Sequence, residues 1–290
     1  MSSDELTVIL VGGLVTGAVY GMAALALVLV YKGSRVINLA QGDFGMFGVF
    51  VFYAVAISSG LGKVPGIAAA LITAALLAAL VERLVISRLR DAPGGVAMVA
   101  TLGVATLLQV AATDIWSAEA RYLPPLIEGN AFNIGLVVVS NSQLLALGTG
   151  AVVAVAVGLM YRFTPFGLKV RAVAQNPYGA SLLGVDERWV SIGLWAVGGL
   201  IAGLAGLVIA PLVTFQVAFM LLLLARVLTA AVVGGLTSLV GAFLAALVLG
   251  VVEQAIAIKT SEPGLLELVL FLLVLVVLTL RPQGLGRTEY

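Results

Sequence analysis

The sequence predicts an all-α polytopic membrane protein of eight or nine transmembrane helices with broken or re-entrant segments. Three observations predict it: apolar runs of membrane-spanning length, charge confined mostly to the ends of those runs, and polar, glycine-rich interruptions in two of them. Of 290 residues, 62% are hydrophobic and 10% charged, whereas an ordinary soluble domain is about half apolar and roughly a quarter charged. Charges this sparse cannot build the polar surface that a soluble chain of this length needs. The net charge of +1 excludes a typical nucleic-acid binder, which neutralises phosphates with a clustered basic face. Cysteine and histidine are both absent. That removes the commonest zinc ligands, thiol nucleophiles, His-based acid–base pairs and disulfides together.

A hydrocarbon core of ~30 Å needs about 20 apolar residues in a helix. Runs of that kind, bounded by charge, proline or polar clusters, are Leu6–Tyr31, Phe44–Ser59, Pro65–Val85, Val96–Thr113, Gln143–Tyr161, Ser191–Val213, Val217–Ile258 and Leu265–Leu280. They make residues 1–290 a single transmembrane domain. Met1 to Glu5 carries two acids and no base, unlike the basic start of a cleavable signal peptide, so Leu6–Tyr31 is expected to be a retained span. Val217–Ile258 is too long for one pass. It contains Arg226 and Gly234-Gly235, so it is either a half-helix followed by a full span or two short spans.

Lysine and arginine set the expected orientation. Arg162, Lys169, Arg171 and Arg188 fall in one connection and Arg83, Arg88 and Arg90 in another, while Gly60–Val64 and Asp114–Ser142 hold only Lys63 and Arg121. The richer set should be cytoplasmic, which puts the N-terminus outside. Residues 114–142, acidic through Asp114, Glu119 and Glu128 and stiffened by Pro124-Pro125, then form an external loop that caps the outer mouth.

Irregular backbone inside a bilayer must be shielded from lipid by protein. Two stretches qualify: Arg35-Val-Ile-Asn38-Leu-Ala-Gln41-Gly42-Asp43, and Arg226 through Gly234-Gly235-Leu-Thr237-Ser238 to Gly241. Both begin Arg-Val and pass through a polar, glycine-rich turn into an apolar helix, which hints at an internal repeat around a midplane path. Asn38, Gln41 and Asp43 are candidates for lining that path, because polar groups in a membrane segment are expensive and face a cavity or another helix. The competing roles are satisfaction of the broken backbone for Asn38 and Gln41, and an ion pair with Arg35 or a helix cap for Asp43.

Residues 162–190 are expected to form a structured cytoplasmic loop. Asn176 before Pro177 starts a helix that runs to Leu183, and Gly184 closes it. Upstream, Leu168–Ala174 carries Lys169 and Arg171 among small apolar residues, and downstream Asp186 caps the next membrane helix. A loop this long and ordered usually has a partner; the alternative is an inert connector anchored by Trp189.

The string Gly167-Leu-Lys169-Val-Arg171-Ala-Val-Ala174-Gln-Asn176-Pro177, followed by Ala180-Ser-Leu-Leu183-Gly184-Val, resembles the coupling loop of LivH-type permeases of the branched-chain (hydrophobic) amino-acid ABC importers. Tyr31 to Gly48, Thr229 to Glu253 and the C-terminal Arg281-Pro-Gln-Gly-Leu-Gly-Arg are similar too, in the family's order along nearly the whole chain. The resemblance implies the ABC importer permease fold and a multi-pass protein of the cell inner membrane, with no cofactor in this chain and ATP and Mg on partner subunits. The implied partners are a second homologous permease subunit, two cytoplasmic ATPases and an external solute-binding protein. It also implies that Gly167 to Gly184 docks into a groove on the ATPase, with Lys169 and Arg171 able to pair with acidic groups there. Gln41 and Asp43 depart from the family's common His and Glu, and Tyr178 from its common acid. Those departures bear on the solute, since permeases for urea, short amides and other small solutes share this architecture.

An ion-coupled secondary transporter is the main rival, but only Asp43 and Glu253 could serve it, and such a protein has no use for a capped cytoplasmic loop. The absence of His excludes a Ser–His intramembrane protease, and no Gly-x4-Gly-Lys-Ser/Thr string is present to bind ATP. Gly13, Gly17 and Gly21, like Gly199 and Gly203, give smooth faces for close helix packing. Glu253 is expected at the interface, near water. Arg226 must be interfacial or paired, since a mid-span arginine costs ~2.5–3.5 kcal/mol.

Overall fold

The computed structural model describes residues 3–90, 92–134, 137–259 and 263–281. Eleven helices and one hairpin make up the described residues: α1 Ser3–Ser34, α2 Gln41–Phe52, α3 Lys63–Leu84, α4 Gly94–Trp116, β1 Asn130–Ile134, β2 Val137–Ser140, α5 Asn141–Phe163, α6 Pro165–Gln175, α7 Pro177–Leu182, α8 Glu187–Ile209, α9 Leu221–Gly234, α10 Leu239–Lys259 and α11 Pro263–Leu280. Among them α1, α3, α4, α5, α8 and α10 are long and apolar enough to span a bilayer, as is α2 together with the π-helical turn Tyr53–Ser58 that continues it, and α9 and α11 contain shorter apolar stretches. The expected spans are therefore all helical, and the long run Val217–Ile258 resolves into a half-helix, α9, and a full span, α10.

The centre of the molecule is α1. It is apolar on every side, as a helix enclosed by others must be, and every residue from Gly17 to Val30 is buried. In lipid there is no hydrophobic driving force between helices, so close packing must hold them. Small residues supply it. A Cβ on Gly13 would lie 2.5 Å from Val251 Cα and one on Gly17 2.7 Å from Leu247 Cα, while one on Gly21 would meet the Phe243 ring at 2.5 Å. These contacts step down α10 as they step up α1, so the two helices are antiparallel. Gly199 and Gly203 do the same for α8 against Ala74 and Ala78 of α3. Both glycine stripes are internal packing.

The chain breaks where the sequence said it would. After α1 it turns back as an irregular segment, with Arg35 at φ +56, and restarts as α2 inside the bundle. The Gln41 side chain reaches Gly198 O, eleven residues past Glu187 and so about 16 Å along α8. The second break lies at Gly235 (φ +95) between α9 and α10, and Lys32 Nζ at the end of α1 donates to Thr237 O there at 2.6 Å. The two Arg-Val pairs differ in role: Arg35 donates to Ala174 O, whereas Arg226 pairs with Glu253 at 3.0 Å. The hint of a repeat therefore rests on the breaks and not on the arginines.

That ion pair corrects the expectation for Glu253. It is not held at a water-exposed edge; its carboxylate is enclosed between α9 and α10, with Arg226 as partner and Tyr20 of α1 close by. Glu267 of α11 stands 3.8 Å from the same guanidinium. From there α11 runs parallel to α9, bringing Leu273 to the cavity that Gly234 and Ser238 line, so Arg281 lies at the same end of the molecule as Lys32 and Arg162. The residues of the terminal string beyond Arg281 lie outside the described residues.

The described residues of 114–142 lie at the opposite end and include a hairpin that the sequence did not reveal. β1 and β2 pair antiparallel with Ile134 opposite Val137. Lys63 Nζ donates to Pro125 O and Leu126 O, and Arg121 exchanges backbone hydrogen bonds of 2.8 and 3.0 Å with Phe215.

Candidate functional site

Two regions carry the residues singled out above. The first is the broken joint into α2. The Asn38 amide donates to Gln41 Oε1 at 2.9 Å and its oxygen accepts from the Ala40 backbone at 3.1 Å, while Gln41 Nε2 donates to Gly198 O at 2.8 Å. The Ala40 N–H freed by the break is thereby satisfied, and the Leu39 N–H donates to Thr101 Oγ1 of α4 at 3.0 Å, as irregular chain at this depth requires. Asp43 accepts from Gln109 Nε2 of α4 at 2.9 Å and is 2% exposed. It neither pairs with Arg35 nor caps α2, whose N-cap residue is Ala40 with no side-chain cap bond. Gln109 is a partner that single-residue reasoning on α4 gave no cue to find.

Above this polar seam, toward the capped end, α2 and α4 are joined by aromatic rings. Phe50 stacks on Trp116 at 5.2 Å and meets Phe215 edge-on at 5.3 Å, Phe47 meets Trp116 at 5.4 Å, and Arg121 sits 5.1 Å over Tyr53. Offset and edge-to-face contacts at these separations are each worth about 1 kcal/mol beyond area. The cluster draws on four separate segments, so no local pattern in the sequence announces it. Apart from this seam α4 is loosely held, and Val99, Leu102, Leu107 and Val110 face outward.

The second region is the loop of residues 162–190. Thr164 caps α6 by accepting from the Gly167 backbone at 3.1 Å, ahead of Pro165, a start signal of the same kind as Asn176-Pro177. Asn176 caps α7 through the Gly179 backbone at 2.9 Å, Gly184 closes it at φ +76, and Asp186 caps α8 through the Arg188 backbone at 2.8 Å. The observed α7 ends at Leu182, one residue short of the expected Leu183.

One face of the loop is buried and the other bare. Gly167, Val170, Val173 and Ala180 point inward; Gly167 approaches the α5 backbone so closely that a Cβ would lie 2.3 Å from Met160 O. Arg35 holds Ala174 O from the end of α1, Phe166 packs on Gly193 of α8, and Arg171 donates to Arg162 O at 3.3 Å. Arg90, held at 2.8 Å by the buried Glu82 of α3, reaches Glu187 at 3.8 Å. The outer face carries Lys169 beside Leu168, then Pro177, Tyr178 (74% exposed), Leu182 and Leu183 (83%). A rigid two-helix element with an exposed apolar tip, tied to α1, α5 and α8, can pass a push from outside into three membrane helices.

A bundle of spans with a discontinuous helix entering midway and a structured loop at the arginine-rich end defines a multi-pass membrane permease. The family model for the permease component of branched-chain amino-acid transport systems matches residues 9–279, and the chain belongs to that family. It is 28% identical over 97% of its length to the high-affinity branched-chain amino-acid transport system permease protein BraD of Pseudomonas aeruginosa, covering 95% of that protein. To the LivH permease protein of Escherichia coli K12 it is 26% identical over 96% of its length, covering 94% of that protein. Among solved structures the fold is similar to PsaBC from Streptococcus pneumoniae in complex with Fab, with TM-score 0.50 at 16% identity over 94% of this chain and 91% of that one.

Proposed function

We propose that this chain is the permease subunit of an ATP-driven importer of branched-chain or other hydrophobic amino acids, working in the cell inner membrane with its arginine-rich end in the cytoplasm. Its partners on this reading are a second, related permease subunit, two ATPases bearing ATP and Mg, and an external solute-binding protein. The observation that carries the reading is the loop Gly167–Gly184, whose inner face is fixed to three membrane helices while Tyr178, Leu182 and Leu183 stand bare. ATP binding draws the two ATPases together, the loop moves with them, and the helices rock as rigid bodies. The solute path lies along the α2–α4 seam where the two permease subunits meet. Separation of α4 from α2 parts Asp43 from Gln109 and turns Asp43, Gln41 and Asn38 toward the path, while the rings around Phe50 and Phe215 close its outer end.

The test is co-expression with the ATPases, followed by measurement of ATPase recovered with the chain and of ATP-driven leucine uptake into proteoliposomes supplied with the binding protein. Tyr178→Ala with Leu183→Asp changes only exposed side chains, so yield is expected to hold while ATPase recovery and uptake fall at least tenfold. Full association and uptake in that variant would remove the loop from coupling. Valine and isoleucine are expected to compete with leucine; competition by urea or short amides instead would overturn the solute.

A further inference from the structure

At the arginine-rich end, a cavity of about 410 Å³ lies between the last turns of α3 and the first turns of α8, lined by Glu82, Arg83, Ser87, Arg88, Asp186, Arg188, Trp189 and Ile192. Its charge is unbalanced. Glu82 is already neutralised by Arg90 at 2.8 Å, which leaves three guanidiniums facing the single carboxylate of Asp186, itself engaged as the cap of α8. Arg88 is tied to the Leu84 carbonyl, but among the described residues Arg83 and Arg188 have no hydrogen bond or ion pair from their side chains. Two unspent guanidinium forks suit a phosphodiester, which arginine binds in bidentate fashion; the Ser87 hydroxyl beside them donates to Arg83 O.

What adjoins the cavity distinguishes a lipid from a soluble anion. Along α3, Ala75 and Ala79 stand at i, i+4 spacing above Arg83 and beside the Ala74–Ala78 face that meets Gly199 of α8. Along α8, Trp189, Ala196 and Leu200 repeat at seven and four residues on the side that faces the same furrow. Trp189 is 66% exposed, although an indole at the end of a span belongs at headgroup level. The α3 side of the furrow, built of alanines, is therefore shallow, and its apolar wall is Ala196 and Leu200 of α8. Basic pocket below and apolar furrow above together match an amphiphile with an anionic head. The coupling-loop tip, Tyr178 and Leu183, lies outside this lining.

We propose that the cleft between α3 and α8 is a binding site for one anionic phospholipid, its phosphate held by Arg83 and Arg188 and its acyl chains laid over Ala75 and Ala79 along Trp189, Ala196 and Leu200. Nothing in this depends on the solute or on the coupling role of the loop. A lipid held here braces α3 against α8, the helix that follows the loop.

The test uses the full chain, purified in detergent and stripped of lipid. Thermal unfolding and native mass spectrometry would be recorded with phosphatidylglycerol, with phosphatidylcholine, and with inorganic phosphate alone. The wild type is expected to retain about one phosphatidylglycerol and to gain several degrees in Tm from it, with little from phosphatidylcholine or phosphate. Arg83→Gln with Arg188→Gln should lose both the adduct and the shift, whereas Arg162→Gln, a cytoplasmic-end arginine outside the cavity, should keep them. An equal shift from phosphate alone would overturn the lipid in favour of a free anion. Equal retention by the double variant, or equal loss by Arg162→Gln, would overturn the site. If the double variant folds poorly, Leu200→Asp, which leaves all three guanidiniums in place, supplies the same comparison through the chains.

Discussion

Arg226 and Glu253 are the residues whose surroundings differ most from what their positions along the chain suggest. A carboxylate six residues before the end of α10 would in a straight, isolated span reach water. Here α9 starts inside the bundle and brings Arg226 alongside it at 3.0 Å. The pair is enclosed by α1, α9 and α10, so neither charge can be removed alone without leaving the other in a low-dielectric setting, a loss on the order of 3 kcal/mol. Glu253→Ala is therefore expected to lower the thermal midpoint of the purified chain by several degrees. Arg226→Leu combined with Glu253→Leu should restore most of the loss, because a packed apolar pair replaces two desolvated charges. A double variant no more stable than the single one would mean that Glu267 or Tyr20, and not the pair, holds α9 in place.

At the scale of elements, glycine placement decides which helices touch. Gly17→Ala puts a methyl group 2.7 Å from the α10 backbone, where no flexible side chain can give way, and overpacking of this kind costs about 1–3 kcal/mol. Gly148→Ala on α5 meets nothing within 4 Å and, with alanine the better helix former, should be neutral or slightly stabilising. Detergent-solubilised yield and thermal midpoint check both, and equal effects from the two would break the link between the stripe and α1–α10 packing. Spans, glycine stripes and helix starts were legible in the sequence because each is local: a run length, a spacing of four, a cap residue before proline. The Asn38–Gln41 joint was half legible, since the polar residues stand out but their partners, Gly198 O and Gln109, lie on other helices. The hairpin at 130–140, the ring cluster around Phe50 and the Arg226–Glu253 pair depend on contacts between segments far apart in the chain, and no periodicity encodes them.

For the whole molecule, the placement of charge across the membrane is the property with the widest consequences, because the proposed ATPase docking, solute-binding side and lipid cleft all rest on it. The arginine-rich end gathers Arg83, Arg88, Arg90, Arg162, Lys169, Arg171 and Arg188, while the opposite end, with Lys63, Arg121 and the hairpin, is poor in lysine and arginine. Translocation disfavours basic loops of this length, which favours the proposed orientation with the rich end in the cytoplasm. The chain contains no cysteine, which lets single cysteines report sidedness without background. Glu119→Cys, exposed in the cap, is expected to react with a membrane-impermeant maleimide in intact cells. Gln175→Cys, exposed at the end of α6, should react only after permeabilisation. Reaction of both in intact cells would contradict a bundle closed between the two ends, and a reversed pattern would place the loop on the outside, where no ATPase could reach Tyr178 and Leu183.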